Sequence, residues 1–299
     1  MNEQWVCAVS VATVWTDPDV PRLVDVPALD QPVQLEKWLG QLSFEERLAL
    51  SEEGRIQTQL LYGEPVIVEE VVGDWAKVIA SWQPSRKNSY GYPGWVPLVQ
   101  LSLCGVVGAE EFVRVTAYKA WVMEETGESF LRVSFNTVLP YEGQLGKRIR
   151  VRTPHGMKWI RSVDVERMKD AGEVSICKLL SVGRQFLKLP YLWGGMSAWG
   201  FDCSGLMYNL WKAYGFRLPR DAADQAKVGK QVSLDRAEWQ PGDLLFFRGE
   251  ENSSVSHVGM YVGNGKMLHA PSTGKSVEEI ELNLTTYAVK LCGVRRVYS

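Results

Sequence analysis

No CxxC pair occurs among the five cysteines, Cys7, Cys104, Cys177, Cys203 and Cys292, so the chain has neither the short-spaced ligands of a zinc knuckle nor a disulfide framework. Such thiols suit a reducing compartment. Histidine is scarcer still: only His155, His257 and His269 can supply an imidazole. Neither sign of charge is in excess. With 33 Lys and Arg against 35 Asp and Glu, the net charge of −2 argues against nucleic acid or an anionic membrane as partner. No basic residue precedes Arg22, and no apolar run is long enough for a signal h-region or a membrane span. A cytoplasmic location is therefore the expectation, unless a natural leader was trimmed, in which case the cell envelope is expected.

At 299 residues, with 45% apolar and 23% charged, the chain reads as a soluble globular protein of two or three domains. From about residue 58 to 101 short strands are punctuated by Gly and Pro, as in Pro65-Val-Ile-Val, Trp75-Ala-Lys-Val-Ile-Ala and Gly91-Tyr-Pro-Gly-Trp-Val. A second such run leads from Phe112-Val-Arg-Val to Trp159-Ile-Arg, with His155 in a predicted surface turn. Both runs resemble bacterial SH3-like modules, which commonly end in Gly-x-x-Gly-Trp-Val. Between them and the first strand, Val33, Leu35, Trp38, Leu39, Leu42, Phe44, Leu48 and Leu50 predict a helical insertion. The twelve tryptophans are expected mostly in barrel cores. A boundary is expected at 168–173, which divides the chain into 1–105, 106–170 and an α+β domain at 171–299.

The chemistry concentrates in that last domain. Asp202 sits where an N-cap belongs, so Cys203 should open an amphipathic helix carrying Leu206, Leu210, Trp211 and Tyr214 and stopping at Gly215. Free N–H groups and the positive end of the helix dipole favour a thiolate there. The other four cysteines are expected to be small buried residues. A cysteine nucleophile needs a base, and His257 and His269 bracket a hairpin turning at Gly263-Asn-Gly. A two-residue loop pairs positions summing to 529, which sets His269 opposite Met260 and puts the histidines on different faces. An odd loop, such as a type I turn with a Gly265 bulge, pairs positions summing to 528, and the histidines then share a face as diagonal neighbours. The second arrangement is expected, with His257 as base and His269 orienting it. A zinc site from Cys203, His257 and His269 would lack a short-spaced pair and an obvious fourth ligand, so no metal or other cofactor is expected.

Tyr191-x-Trp193-Gly-Gly, Phe201-Asp-Cys-Ser-Gly-Leu, Leu218-Pro-Arg-Asp, Gln240-Pro-Gly-Asp-Leu-Leu-Phe-Phe, His257-Val-Gly-Met-Tyr-Val-Gly and Leu268-His-Ala, taken together and in order, resemble the NlpC-type cell-wall cysteine peptidases over residues 190–270. The resemblance implies an α+β, papain-like peptidase domain preceded by two small all-β SH3-like barrels. It also implies Cys203 as nucleophile, His257 as base, His269 as third polar residue and Tyr191 in the oxyanion region. Asp202, Ser204, Trp193 and Asp221 match substrate-contacting positions. With its leading modules the chain is most similar to the γ-D-glutamyl-L-diamino acid endopeptidases that recycle murein peptides. In those enzymes the first SH3-like domain narrows the cleft, and acidic and tyrosine groups hold the free amine of an N-terminal L-Ala. Tyr92 is the candidate for such a contact, with Glu64 as an acidic partner. Where the family has Arg-Asp-Ser, this chain has Arg220-Asp221-Ala222, so one serine contact to the D-Glu carboxylate is expected to be missing. The alternatives are a non-catalytic wall-binding protein, or an amidase or acyltransferase using the same Cys/His/His set.

Overall fold

The computed structural model describes residues 4–104, 110–168, 175–249 and 254–298. They fall into two compact units: Met1–Trp82 with Tyr90–Asp170 and Met196–Trp199, and Gln83–Ser89 with Ala171–Gly195 and Gly200–Ser299.

The first unit contains two seven-stranded antiparallel sheets. One is built from β1 (Gln4–Cys7), β2 (Val11–Trp15), β3 (Ile56–Leu61), β4 (Pro65–Val72), β5 (Trp75–Ala80), β6 (Tyr92–Pro97) and β7 (Leu101–Cys104). The other comprises β8 (Phe112–Val115), β9 (Lys119–Met123), β10 (Ser129–Ser134), β11 (Val138–Leu145), β12 (Arg148–Thr153), β13 (Gly156–Arg161) and β14 (Val165–Arg167). Their orders, β3-β2-β6-β5-β4-β1-β7 and β10-β9-β13-β12-β11-β8-β14, are one connectivity used twice. The weak likeness between the two sequence runs is thus a structural repeat. Strand β12 shows why it is a strand: Ile149, Val151 and Thr153 are buried, while the alternating Arg148, Arg150 and Arg152 face outward. Burying one such Val or Ile stabilises the fold by roughly 1.5–3 kcal/mol. The Gly-x-x-Gly spacing has an equally local cause. A Cβ at Gly94 would lie 2.5 Å from Val14 Cγ1 and 2.8 Å from the Trp15 carbonyl oxygen, so β6 can cross β2 only without a side chain there.

The insertion forms helices α1 (Val26–Leu29), α2 (Leu35–Gln41) and α3 (Phe44–Glu52), a division that the single apolar periodicity did not reveal. Ser43 makes the break. Its hydroxyl accepts from the Glu46 N–H at 3.1 Å, and the Glu46 carboxylate accepts from the Ser43 N–H at 2.7 Å, which is a capping box. Phe44, expected on the apolar face, opens the new helix and is 53% exposed. Trp38 is fully buried and donates to Asp25 Oδ1 at 2.9 Å. The tryptophans also depart from expectation. The buried ones are Trp15, Trp38, Trp199, Trp211 and Trp239, and of these only Trp15 stands on a strand of the two β modules. On the second module Arg148 lies over Trp159 at 5.0 Å and Arg132 over Trp121 at 5.9 Å, so indoles there support cations at the surface.

His155 is exposed as expected, yet it is not idle: its Nδ1 is 2.9 Å from the Tyr62 hydroxyl. The short strand β15 (Met196–Ser197) belongs to the first unit and β16 (Gly200–Phe201) to the second. The boundary expected at 168–173 lies, beyond Met168, outside the described residues.

In the second unit, α4 (Ile176–Arg184) and α5 (Cys203–Lys212) accompany a six-stranded antiparallel sheet. Its strands are β17 (Lys230–Val232), β18 (Leu244–Arg248), β19 (Val255–Gly263), β20 (Lys266–His269), β21 (Glu278–Glu281) and β22 (Leu291–Arg296), in the order β17-β22-β18-β19-β20-β21. Short helices α6 (Ala222–Gln225) and α7 (Tyr287–Lys290) complete it. Helix α5 is buried on every side from Cys203 to Trp211, so it is a central helix and not the amphipathic one that its spacing predicts. Among the described residues no helix is long and apolar enough to cross a membrane.

Candidate active site

Cys203 opens α5, and Asp202 caps it by accepting the Gly205 N–H at 2.6 Å. The cap is itself held. Arg220, 1% exposed, donates from Nη2 to Asp202 Oδ2 at 2.6 Å and from Nη1 to Asp202 Oδ1 at 3.1 Å, and also to Ser204 Oγ at 3.0 Å. Gln225 donates to the Ser204 carbonyl at 3.0 Å and to that of Pro219 at 2.8 Å, which ties α6 to the start of α5. Asp202 and Ser204 are therefore parts of a buried polar network that fixes the backbone around Cys203. Sequence reasoning quoted Arg220 within a motif but gave it no role. The signal was there, since an arginine between Pro and Asp in a buried segment needs a carboxylate partner.

The hairpin brings the histidines together by a route the sequence did not suggest. Asn264 and Gly265 have φ of 53° and 74°, a two-residue turn with both central residues left-handed, and Gly263 pairs with Lys266. That turn alone would put the histidines on opposite faces. The register shifts between Tyr261 and Gly263, however, so Tyr261 pairs with Met267 and Met260 with Leu268, positions summing to 528. The bulge sits in β19, at Val262, and not at Gly265. His257 and His269 consequently share a face, and His257 Nε2 lies 2.8 Å from His269 Nδ1. Gly259 keeps the ground beneath them flat, because a Cβ there would meet Met267 Sδ at 2.4 Å and His269 Cβ at 3.1 Å.

Aromatic rings enclose the pair. Tyr287 stacks on His257 at 5.0 Å and 25° and meets His269 edge-on at 5.0 Å, while Phe247 lies 5.8 Å from His257. Tyr287 escaped sequence reasoning because α7 carries no motif. Burial pushes its hydroxyl up to about 12, with the Cys203 and Glu278 charges adding to the effect. Tyr191 is buried, and its strand segment is pinned by the Tyr191 N–H to the Lys275 carbonyl at 2.9 Å. Burial raises the Tyr191 hydroxyl well above its ordinary value, reinforced by Cys203 and Asp202, so it stays a proton donor. Trp193 is 39% exposed, and Asp221 is half-buried at the start of α6. Ala222 follows it, buried.

Burial decides the resting protonation. It pushes the Cys203 thiol up to about 12, with Asp202 adding to the rise, against backbone N–H bonds from Val258 and Ser204 and the Arg220 charge that pull it down. It pushes His257 down to about 3 and, helped by His257 and Lys275, His269 down to about 2. Desolvation thus opposes the thiolate that a helix start favours, and it favours the neutral imidazoles. Acid stability follows from these shifts. Both folded values lie below the unfolded value near 6.5, so between them the unfolded chain binds more protons and stability is lost as pH falls through 6.5 toward 3. The slope should reach about 1.4 kcal/mol per pH unit for each histidine, and none of this loss occurs above pH 7. Urea unfolding at pH 7.5, 6.0 and 5.0 checks this. A His257→Gln/His269→Gln chain should show a clearly shallower decline, and an equal decline would contradict the buried neutral pair.

Two further sequence candidates belong to the first unit. Tyr92 is 2% exposed within the core of the first β module, and Glu64, 3% exposed, accepts the Leu61 N–H at 3.1 Å in its own turn. Both stand in the first unit, shielded from solvent. Cys7 is fully buried, and Cys104 and Cys292 partly so, whereas Cys177, expected to be buried, is exposed on α4. The two histidines bond to each other, and among the described residues no group of three His, Cys, Asp or Glu side chains is arranged to hold a metal.

This constellation has close parallels. The NlpC/P60 family model matches residues 188–296, and a model described as the YKFC SH3b2 domain matches 115–167. The chain is 44% identical over 294 residues to the γ-D-glutamyl-L-lysine dipeptidyl-peptidase of Bacillus subtilis (strain 168), with 97% of each covered. It is 39% identical over 298 residues to the protein of the same name from Bacillus cereus (strain ATCC 10987), covering 96% of this chain and 89% of that one. The crystal structure of an NlpC/P60 family protein from Bacillus cereus ATCC 10987 matches with a TM-score of 0.94 at 38% identity, over 99% of this chain and 100% of that chain. A thiol at the start of a central helix, two hydrogen-bonded histidines on the adjoining sheet and likeness along nearly the whole length lead to one conclusion: the chain belongs to the NlpC/P60 family and is a cysteine peptidase.

Proposed function

We propose that this chain hydrolyses the γ-D-glutamyl bond to the L-diamino acid of murein peptides whose N-terminal L-Ala is unblocked, and that it works in the cytoplasm. The observation that carries the reading is the 2.8 Å bond between His257 and His269 in the same unit as the helix-opening Cys203. With Nε2 engaged, His257 keeps Nδ1 as the base. As Cys203 Sγ attacks the γ-carbonyl carbon, the thiol proton passes to His257 Nδ1 and an S–C bond forms. The oxyanion is met by backbone N–H groups at the start of α5 and by the protonated Tyr191 hydroxyl. His257 then gives the proton to the departing amine as the C–N bond breaks. Water, deprotonated by the same histidine, attacks the thioester and releases L-Ala-γ-D-Glu with the thiol restored.

The name of the relatives, dipeptidyl-peptidase acting at γ-D-glutamyl-L-lysine, supports release of a dipeptide from a free N-terminus. An amine buried against polar partners is costly to replace by a neutral amide, so a site built for it rejects blocked analogues. Stems still joined to sugar through L-Ala have no such amine, which favours released peptides and hence a place inside the cell. The five free thiols fit that compartment. The test compares kcat/KM for L-Ala-γ-D-Glu-L-Lys, its diaminopimelate counterpart and their N-acetylated forms, with products read by mass spectrometry. The free tripeptides should be preferred by at least about 10²-fold. Equal rates on blocked peptides, or efficient digestion of intact sacculi, would overturn the free-amine and intracellular parts of the proposal.

A further inference from the structure

We infer that Glu278 is a positioning residue that sets the proton order of the two histidines, its carboxylate accepting the Nε2–H of His269. The inference rests on the reading of this site as a cysteine peptidase and deepens it. His269 is fully buried, and its Nδ1 is taken by His257 at 2.8 Å. Its Nε2 is also buried and has no hydrogen-bond partner among the described residues, and the Glu278 Oε1 lies 3.4 Å away. The approach is built into the sheet. His269 and Glu278 are directly paired across β20 and β21, so their side chains leave the same face at adjacent positions. The β21 end is held from the other side as well, where Val277 donates to the Leu189 carbonyl at 2.8 Å and Lys188 to the Val277 carbonyl at 2.8 Å. Those bonds lock Glu278 to the segment that carries Tyr191.

The reason this matters is a count of protons. A neutral imidazole has one N–H and one acceptor nitrogen, so a pair of histidines in series can be ordered in two ways. In one, His269 carries its proton on Nε2, its Nδ1 accepts from His257 Nε2–H, and His257 Nδ1 is a free base for the Cys203 proton. In the other, His269 carries its proton on Nδ1, His257 Nε2 must accept, and His257 Nδ1 already holds a proton and cannot serve as base. Nothing in the His257–His269 bond itself prefers the first order. A carboxylate beside His269 Nε2 does, because it can only accept. The other charged or titratable groups acting on the pair do not supply that acceptor: Lys275 is a cation, and Tyr287 meets His269 edge-on and His257 face-on through its ring.

The test uses the full chain with Glu278→Ala and Glu278→Gln. In the resting enzyme, ¹⁵N shifts of the two imidazoles should show both as Nε2–H tautomers, and Glu278→Ala should mix the forms. With the free tripeptide, Glu278→Ala should lower kcat by about 10- to 100-fold with KM within about two-fold, as loss of an orienting partner does elsewhere. Glu278→Gln still offers a carbonyl acceptor and should recover most of the loss. Unchanged tautomers with kcat within about two-fold of the parent in Glu278→Ala would overturn the inference, as would a Gln variant as impaired as the Ala one. The tautomer measurement needs no substrate, so failure of the parent enzyme to cleave the tripeptide would count against the proposed substrate and leave this inference to be decided by the spectra.

Discussion

Cys203→Ala is expected to fold as the parent chain does and to lose peptide hydrolysis by roughly 10⁴- to 10⁶-fold. The fold should survive because the change removes one sulfur atom from the first turn of α5, while the Asp202 cap and its Arg220 support remain. Activity should not, because no other thiol shares the site: Cys7 is buried in the core of the first β module, and Cys177 is exposed on α4. Labelling separates the exposed Cys177 from the buried Cys203. Cys177 should react first with a small reagent such as iodoacetamide and leave activity intact, while inactivation should follow Cys203 alone. Since burial pushes the Cys203 thiol up to about 12, the inactivation rate should keep rising from pH 6 to 9 instead of reaching a plateau below neutrality. A plateau near pH 5 would mean a thiolate already formed at rest. More than a trace of hydrolysis by Cys203→Ala would remove the nucleophile assignment itself.

Arg220→Ala should be the most destabilising single change in the second unit, at about 3–5 kcal/mol, the usual cost of breaking a buried ion pair from one side. The guanidinium serves both oxygens of Asp202 and the hydroxyl of Ser204 while 1% exposed, so its removal leaves a buried carboxylate with only the Gly205 N–H and the Ser204 hydroxyl. Activity should fall with stability, because the carboxylate that caps α5 then seeks water and moves the backbone of the nucleophile. Urea unfolding at pH 7.5 measures the first effect, and kcat at a temperature where the variant is folded measures the second. Replacing both partners, as Arg220→Met with Asp202→Asn, should return part of the stability without the activity, because an apolar or neutral pair no longer buries an uncompensated charge. A loss below about 1 kcal/mol for Arg220→Ala would show that solvent reaches Asp202.

Which features were legible in the sequence follows from how local they are. The strands of both β modules follow from period-2 burial, as in Arg-Ile-Arg-Val-Arg-Thr of β12, and from Gly and Pro punctuation. The start of α5 follows from Asp202, since a cap acts on the N–H three residues on. The pairing of His257 with His269 was legible because only three histidines exist and two of them bracket one hairpin.

Local pattern was thus enough for the repeated β module and the helix that Cys203 opens, each of which depends on residues within a turn or a strand of one another. Tertiary structure alone decided the rest. The register of β19 against β20 shifts at Val262, and that single extra residue puts His257 and His269 on one face. Tyr92 and Glu64 are shielded from solvent, which no local pattern in their strand and turn indicates. Arg220, Tyr287 and Glu278 reach the site from segments 17, 84 and 75 residues beyond Cys203 by the numbering. The upward push on the Cys203 thiol has a comparable cause. The helix dipole is a property of one turn, whereas desolvation is summed over every element packed around the sulfur, and it raises the thiol.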